Sequence, residues 1–194
     1  MSLTRAFIAL EIPSQTHKEI SIKTAWLQKE LGTHLVRWVS SENIHLTLQF
    51  LGDITSAKIE DVSQTLSDLA GRHEKHKIII SGLGTFPNMR RPRVIWIGIQ
   101  VPETLKALHQ DLEAATAKLG FPPEKRSFNP HLTIGRVKQH ISANKIESIR
   151  NAISSTNIGF IDTVEIESLH LLKSDLKPSG AVYTKLYSAP LNIP

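Results

Sequence analysis

The sequence predicts an α+β protein whose sheets are antiparallel. Strand-type runs and amphipathic helical runs are interleaved along its 194 residues. Several strands follow one another through short turns, a connection that antiparallel pairing permits and parallel pairing does not. In addition, one strand pattern occurs twice, as His45-Leu46-Thr47-Leu48 and as His131-Leu132-Thr133-Ile134, each time ahead of a helical run. Outside these motifs the two parts share little identity, so the chain reads as a diffuse internal duplication.

Arg5 to Ile12 is a β-type run closed by Pro13. Ser14 to Leu31 has helical spacing (Ile20, Ile22, Trp26, Leu27, Leu31), with Ser14 as its N-cap and Gly32 as its stop. Leu35 to Val39 and Ile44 to Leu51 are strands around the turn Ser40-Ser41-Glu42-Asn43. Thr55 to Ala70 is a second helix, striped by Ile59, Val62, Leu66 and Leu69. Lys77 to Leu83 and Arg93 to Val101 are strands flanking a loop from Gly84 to Pro92 that is rich in turn residues and cations. Pro102 to Leu119 is a third helix, stopped by Gly120. Phe121 to Pro130 is irregular, His131 to Val137 is the second motif strand, and Asn144 to Ser154 is a fourth helix. Thr163 to Leu172 and Val182 to Tyr187 finish the chain as strands.

Composition narrows the class. Hydrophobic residues make up 40% and charged residues 21%, the balance of a soluble globular protein. No linker is long enough to separate independent units, so residues 1–194 are expected to form a single two-lobed domain. No run of ~18 apolar residues occurs, which excludes a membrane-spanning helix. The short apolar run Ala6-Phe7-Ile8-Ala9-Leu10, broken by Glu11, reads as a first strand rather than as part of a signal peptide in Met1 to Pro13. Cysteine is absent, which removes disulfides, thiolate nucleophiles and Cys-ligated metals and fits a cytoplasmic setting. The net charge of +5 favours an anionic partner such as RNA or a nucleotide.

The repeated motif carries the chemistry. Side chains alternate faces along a strand, so His45 and Thr47 share one face while Leu46 and Leu48 take the other. The same holds for His131 and Thr133 against Leu132 and Ile134. Two imidazoles, each with an unperturbed pKa of about 6.5, can divide general acid and base duties near neutral pH. Two threonine hydroxyls can donate to the oxygens of an anion. Breaking one P–O bond of a phosphodiester needs this set of an acid, a base and oxyanion donors. A metal site is the competing reading. Zinc takes three or four protein ligands, and neither motif contains a Cys or a carboxylate. His17, His34, His73, His76, His109, His140 and His170 are scattered and form no His-Glu-x-x-His helix, so neither metal nor cofactor is expected.

The two His-x-Thr motifs resemble those of the two-histidine (2H) phosphoesterase superfamily, and within it the bacterial and archaeal RNA 2′,3′-cyclic phosphodiesterases, also called 2′-5′ RNA ligases. The likeness extends to Arg5-Ala6-Phe7-Ile8-Ala9-Leu10, to Arg37-Trp38-Val39 and Asn43 through Gly52, and to Gly82 through Pro87 with Arg91 through Trp96. It also extends to Phe128 through Arg136 and to the closing hairpin, Ser174-Asp175-Leu176 with Gly180 through Tyr183. The resemblance implies a bilobal fold: two antiparallel β-sheets flanking a central cleft, with helices outside. It implies metal-independent opening of a 2′,3′-cyclic phosphate, on RNA ends or small cyclic nucleotides, to a 2′-phosphomonoester, with reversible 2′-5′ joining as a further activity.

Carried onto this sequence, the resemblance makes His45 and His131 the catalytic pair and Thr47 and Thr133 the phosphate donors. His45 is assigned as the acid and His131 as the base, although the symmetry of the motifs permits the reverse. Arg136 matches an arginine near the phosphate, but strict alternation from His131 sends it to the opposite face, so a bulge at Gly135 is required to re-aim it. Phe7 reads as core, though an aromatic there could stack on a base. Trp38, Trp96 and Tyr183 read as packing, and Arg90-Arg91-Pro92-Arg93 as either an RNA-attracting cluster or a solvated turn. A monomer is expected, because the duplication already supplies both histidines. The alternative is a module of the same fold that binds nucleotides or RNA ends without turnover; an esterase for 2′-5′ oligoadenylates or cyclic nucleotides is a third reading.

Overall fold

A computed structural model describes residues 3–124, 126–177 and 180–193. Met1 and Ser2 of the N-terminal run and Lys125 of the expected irregular segment lie outside them. In chain order the elements are β1 (Thr4–Glu11), α1 (Ser14–Leu35), β2 (Val36–Trp38), β3 (His45–Ile54), α2 (Ser56–Ala70), β4 (His76–Phe86), β5 (Val94–Gln100), α3 (Glu103–Ala117), β6 (His131–Val137), α4 (Ala143–Ser155), β7 (Phe160–Ile166), β8 (Ser168–Lys177) and β9 (Gly180–Pro190).

The strands run in the order β7-β4-β5-β6-β3-β1-β8-β9, with β2 added beside β6, and every ladder is antiparallel. Two four-stranded halves, β7-β4-β5-β6 and β3-β1-β8-β9, meet at the motif strands through the pair Leu46–Leu132. The expected two antiparallel sheets are thus two halves of one continuous strand order. Helices α1 and α4 pack together with α1 against β7, while α2 and α3 pack together with α2 against β8 and β9. The main core holds Ile8, Leu10, Leu46, Leu48, Ile95, Ile97, Leu132 and Ile134 from the sheet with Leu27, Leu66 and Leu108 from the helices. The other face of the β1 half carries a small separate cluster of Phe7, Ala9 and Leu172, with Tyr183 against it.

Three local expectations change. Ser14 is the first residue of α1 and caps nothing; Pro13 occupies the cap position. The chain does break at Gly32, which is non-helical, but one further turn carries it to Leu35. The single strand expected over Thr163 to Leu172 is two strands that part at Glu167, where β7 pairs with β4 in one half and β8 with β1 in the other. No glycine or proline marks the break, so the apolar run gives no local sign that its partner changes.

Both motif strands carry the same irregularity. On β3, Ile8 pairs with Gln49 and Ala9 with Thr47, which leaves Leu48 as an extra residue. On β6, Ile95 pairs with Gly135 and Trp96 with Thr133, which leaves Ile134 extra. Two consecutive residues are therefore buried, Leu48-Gln49 and Ile134-Gly135, and the alternation resumes with its parity reversed. Phe50 and Arg136 come out exposed on the face that carries the histidines. Gly135 is required there: a Cβ would stand 2.7 Å from Val36 Cγ1 and 3.0 Å from the Trp38 ring. Gly135→Ala is expected to lower stability by about 1–3 kcal/mol through overpacking of β2. Urea unfolding reads this; a change below about 0.5 kcal/mol would show that β2 yields freely.

Candidate active site

His45 and His131 open β3 and β6 in identical ways. Each Nδ1 lies 2.8 Å from the carbonyl oxygen two residues earlier, that of Asn43 for His45 and that of Asn129 for His131. A carbonyl only accepts, so each Nδ1 carries the hydrogen and donates it. The neutral imidazole is fixed in one tautomer with the lone pair on Nε2. The Thr47 hydroxyl lies 3.0 Å from His45 Nε2 and donates to it in that state. Thr133, two residues after His131, is half-buried on the matching face of β6.

Aromatic rings wall both imidazoles. Phe7 lies tilted over His45 at 4.8 Å, and Tyr183 meets His45 edge-on at 5.0 Å. Phe86 meets His131 edge-on at 4.8 Å, with Trp96 at 6.3 Å. Trp96 reaches this position by lying on Gly84, where a Cβ would fall 2.3 Å from the ring. Phe7 is buried, as expected of a core residue, and its core is the small one beneath the histidine. Trp38 packs against the main core and donates its Nε1 hydrogen to the Gly32 carbonyl at 3.2 Å. Tyr183 and Trp96, expected as packing alone, border the imidazoles.

The enclosure governs protonation. Burial pulls His45 down to about 4, against the opposing pull of the Asn43 carbonyl, and charge on His131 lowers it further. His131 is also lowered, first by burial and then by the charge of Arg136, while the Asn129 carbonyl opposes. Burial raises Tyr183, and the charges of Arg136 and then Arg5 draw it back. Arg136 thus acts on His131 in one half and on Tyr183 in the other. The required bulge is present, and it turns Arg136 toward the face of His131 and Thr133. Among the described residues no three His, Asp or Glu side chains converge as metal ligands. Two depressions, one between α1 and the β2–β3 connection and one beside Glu11, Glu165 and His170, include neither motif histidine.

The sequence model of the 2′-5′ RNA ligase superfamily matches residues 14–178. The chain belongs to that superfamily. An RNA 2′,3′-cyclic phosphodiesterase of Methanothermobacter thermautotrophicus is 33% identical over 187 residues, which span 94% of this chain and 96% of the relative. The protein of the same name from Aquifex aeolicus is 33% identical, with 95% of each chain covered. The crystal structure of E. coli LigT complexed with 3′-AMP superposes with a TM-score of 0.76 at 26% identity, covering 98% of this chain and 99% of that one. The bilobal α+β fold of this 2′-5′ RNA ligase superfamily member agrees with the expectation drawn from its motifs.

Phe50 escaped the sequence reading. It pairs with Phe7 across β1 and β3, its ring lies 6.0 Å from that of Phe7, and it is 61% exposed. The signal was its equivalence to Arg136, since both stand five residues after a motif histidine.

Burial of His45 carries a stability consequence. The unfolded imidazole takes up its proton near 6.5 and the folded one near 4, so the unfolded chain binds more protons between these values. Stability is full above pH 6.5 and falls as the pH drops through that window, by at most roughly 3 kcal/mol from this group. His45→Gln is expected to flatten the decline in urea unfolding at pH 7, 5.5 and 4.5. A slope equal to that of the wild type would count against burial of this imidazole.

Proposed function

We propose that this protein opens 2′,3′-cyclic phosphates, on RNA ends or small cyclic nucleotides, to 2′-phosphomonoesters by a metal-independent, two-histidine mechanism. The observation that carries the reading is the paired presentation of two Nε2 atoms, each fixed by an Nδ1–carbonyl hydrogen bond at the start of adjoining strands. The names of the relatives and membership of the superfamily support the substrate class.

The order read from the motifs gives the acid role to His45 and the base role to His131, and burial lowers both imidazoles. His131 Nε2 takes a proton from water as its oxygen bonds to phosphorus. The bond from phosphorus to the 3′ oxygen breaks, and His45 Nε2–H gives that oxygen its proton. Thr47 and Thr133 donate to the non-bridging oxygens, and Arg136 offsets their charge. A ribose 5′-hydroxyl in place of water yields a 2′-5′ linkage by the same bond changes. Phe50 offers its exposed face to the base.

The test is hydrolysis of adenosine 2′,3′-cyclic phosphate, and of a short RNA ending in that group, with and without EDTA. Wild type yields a 2′-phosphate in both conditions, and His45→Ala and His131→Ala each lose about 10²–10⁴-fold in kcat. The alkaline limb of the pH profile disappears in His45→Ala and the acidic limb in His131→Ala; exchanged limbs would reverse the roles. Variants near wild type, or loss of activity in EDTA, would sink the mechanism, and an inert wild type that binds the RNA end would favour a binding module. Phe50→Ala is expected to raise KM about 10-fold with a smaller change in kcat, the size of one base stack. An unchanged KM would remove the ring from the binding face.

A further inference from the structure

Arg37 and Arg136 stand directly opposite each other across β2 and β6. Residues so paired share a face, with Cβ atoms about 4.5–5.5 Å apart, and like charges placed there are destabilising. Both arginines are exposed, and among the described residues neither joins an ion pair. The arrangement is also rigid. Val36 on one side of Arg37 is buried in the core, and Trp38 on the other packs on Gly135 and is tied by its Nε1 hydrogen to Gly32. A sheet that fixes two arginine stems side by side and, among the described residues, pairs neither with a carboxylate leaves the neutralising anion to come from outside.

The bulge brings Arg136 to the face of His131 and Thr133, where the reading above places the reacting phosphate. Arg37 lies one strand further from the histidine along the same face. An RNA chain carries its next negative charge one nucleotide away from its terminal phosphate. We propose that Arg37, together with Arg136, forms a second phosphate subsite that takes the phosphodiester on the 5′ side of the terminal nucleotide. This rests on the reading above that the histidine face receives an RNA end. It makes Arg37 a specificity residue that favours RNA over cyclic mononucleotides.

The experiment compares adenosine 2′,3′-cyclic phosphate with a dinucleotide ending in the same group, using wild type, Arg37→Gln, Arg37→Lys and Arg93→Gln. Binding of the matching 2′-phosphate products is measured alongside turnover, so the subsite is read even where hydrolysis fails. Arg37→Gln is expected to lower the dinucleotide-to-mononucleotide ratio of kcat/KM, and of product affinity, about tenfold, the size of one charge-assisted contact. It also flattens the salt dependence of dinucleotide binding by about 0.7 in log–log slope. Arg37→Lys restores that slope but only part of the ratio, because an ammonium lacks the planar fork. Arg93→Gln removes the same charge from the neighbouring loop and lowers the ratio less. Equal losses on both substrates in Arg37→Gln, an unchanged ratio, or the same change in Arg93→Gln would overturn the subsite. Absent turnover with the binding ratio still altered would remove the hydrolytic reading and leave the subsite standing.

Discussion

Everything at this site depends on where the two halves of the sheet join. The junction is one antiparallel pair, Leu46 opposite Leu132, and each leucine is the second residue of its motif. Both leucines are fully buried, which commits their neighbours at positions 45, 47, 131 and 133 to the opposite face. The distance between the imidazoles is therefore set by the hydrophobic core and not by contacts between the imidazoles themselves. The same core fixes the facing direction: a slip of one residue in either strand would bury a histidine and expose a leucine. Chemistry that needs two positioned rings is thus secured by apolar burial at their backs.

The face is built to hold imidazoles neutral yet fully hydrogen-bonded at one nitrogen. Phe7, Tyr183 and Phe86 exclude water, and that exclusion lowers both histidines. The Asn43 and Asn129 carbonyls work the other way, because they stabilise an imidazolium as well as fix the tautomer. An anionic substrate would add to the second effect, raising both groups toward the pH at which acid and base can be shared.

Much of this was legible in the sequence, and the illegible parts share one cause. Alternation within His-Leu-Thr-aliphatic placed His45, Thr47, His131 and Thr133 correctly on one face, because the pattern is local and both leucines are core. Alternation alone put Arg136 on the wrong face and gave Phe50 no role, because a bulge is a property of two strands in register, and its extra residue carries no residue-type mark of its own on β3. The parting of β7 from β8 at Glu167 was hidden for a related reason: each piece is a good strand, and only the choice of partner separates them. Pairing information lies between segments distant in sequence, beyond the reach of a window moved along the chain.

The bulges also show how the two halves came to differ in use. In the β1 half the residue after the extra one is Gln49, buried, with its Oε1 accepting the Thr116 hydroxyl hydrogen at 2.8 Å under α3. In the other half the equivalent place is Gly135, because β2 lies across it and leaves no room for a side chain. The extra strand exists on that side alone, and it brings Arg37 beside Arg136. The position re-aimed by each bulge is an aromatic ring on one side and a guanidinium on the other. A symmetric pair of histidines is thereby flanked by unlike groups, an apolar ring at Phe50 and a guanidinium at Arg136. A nucleotide has the same polarity, a base at one end and phosphate at the other, so under the proposed function the asymmetry would give a substrate one orientation between two nearly equivalent histidines. That orientation would decide which imidazole meets the leaving oxygen.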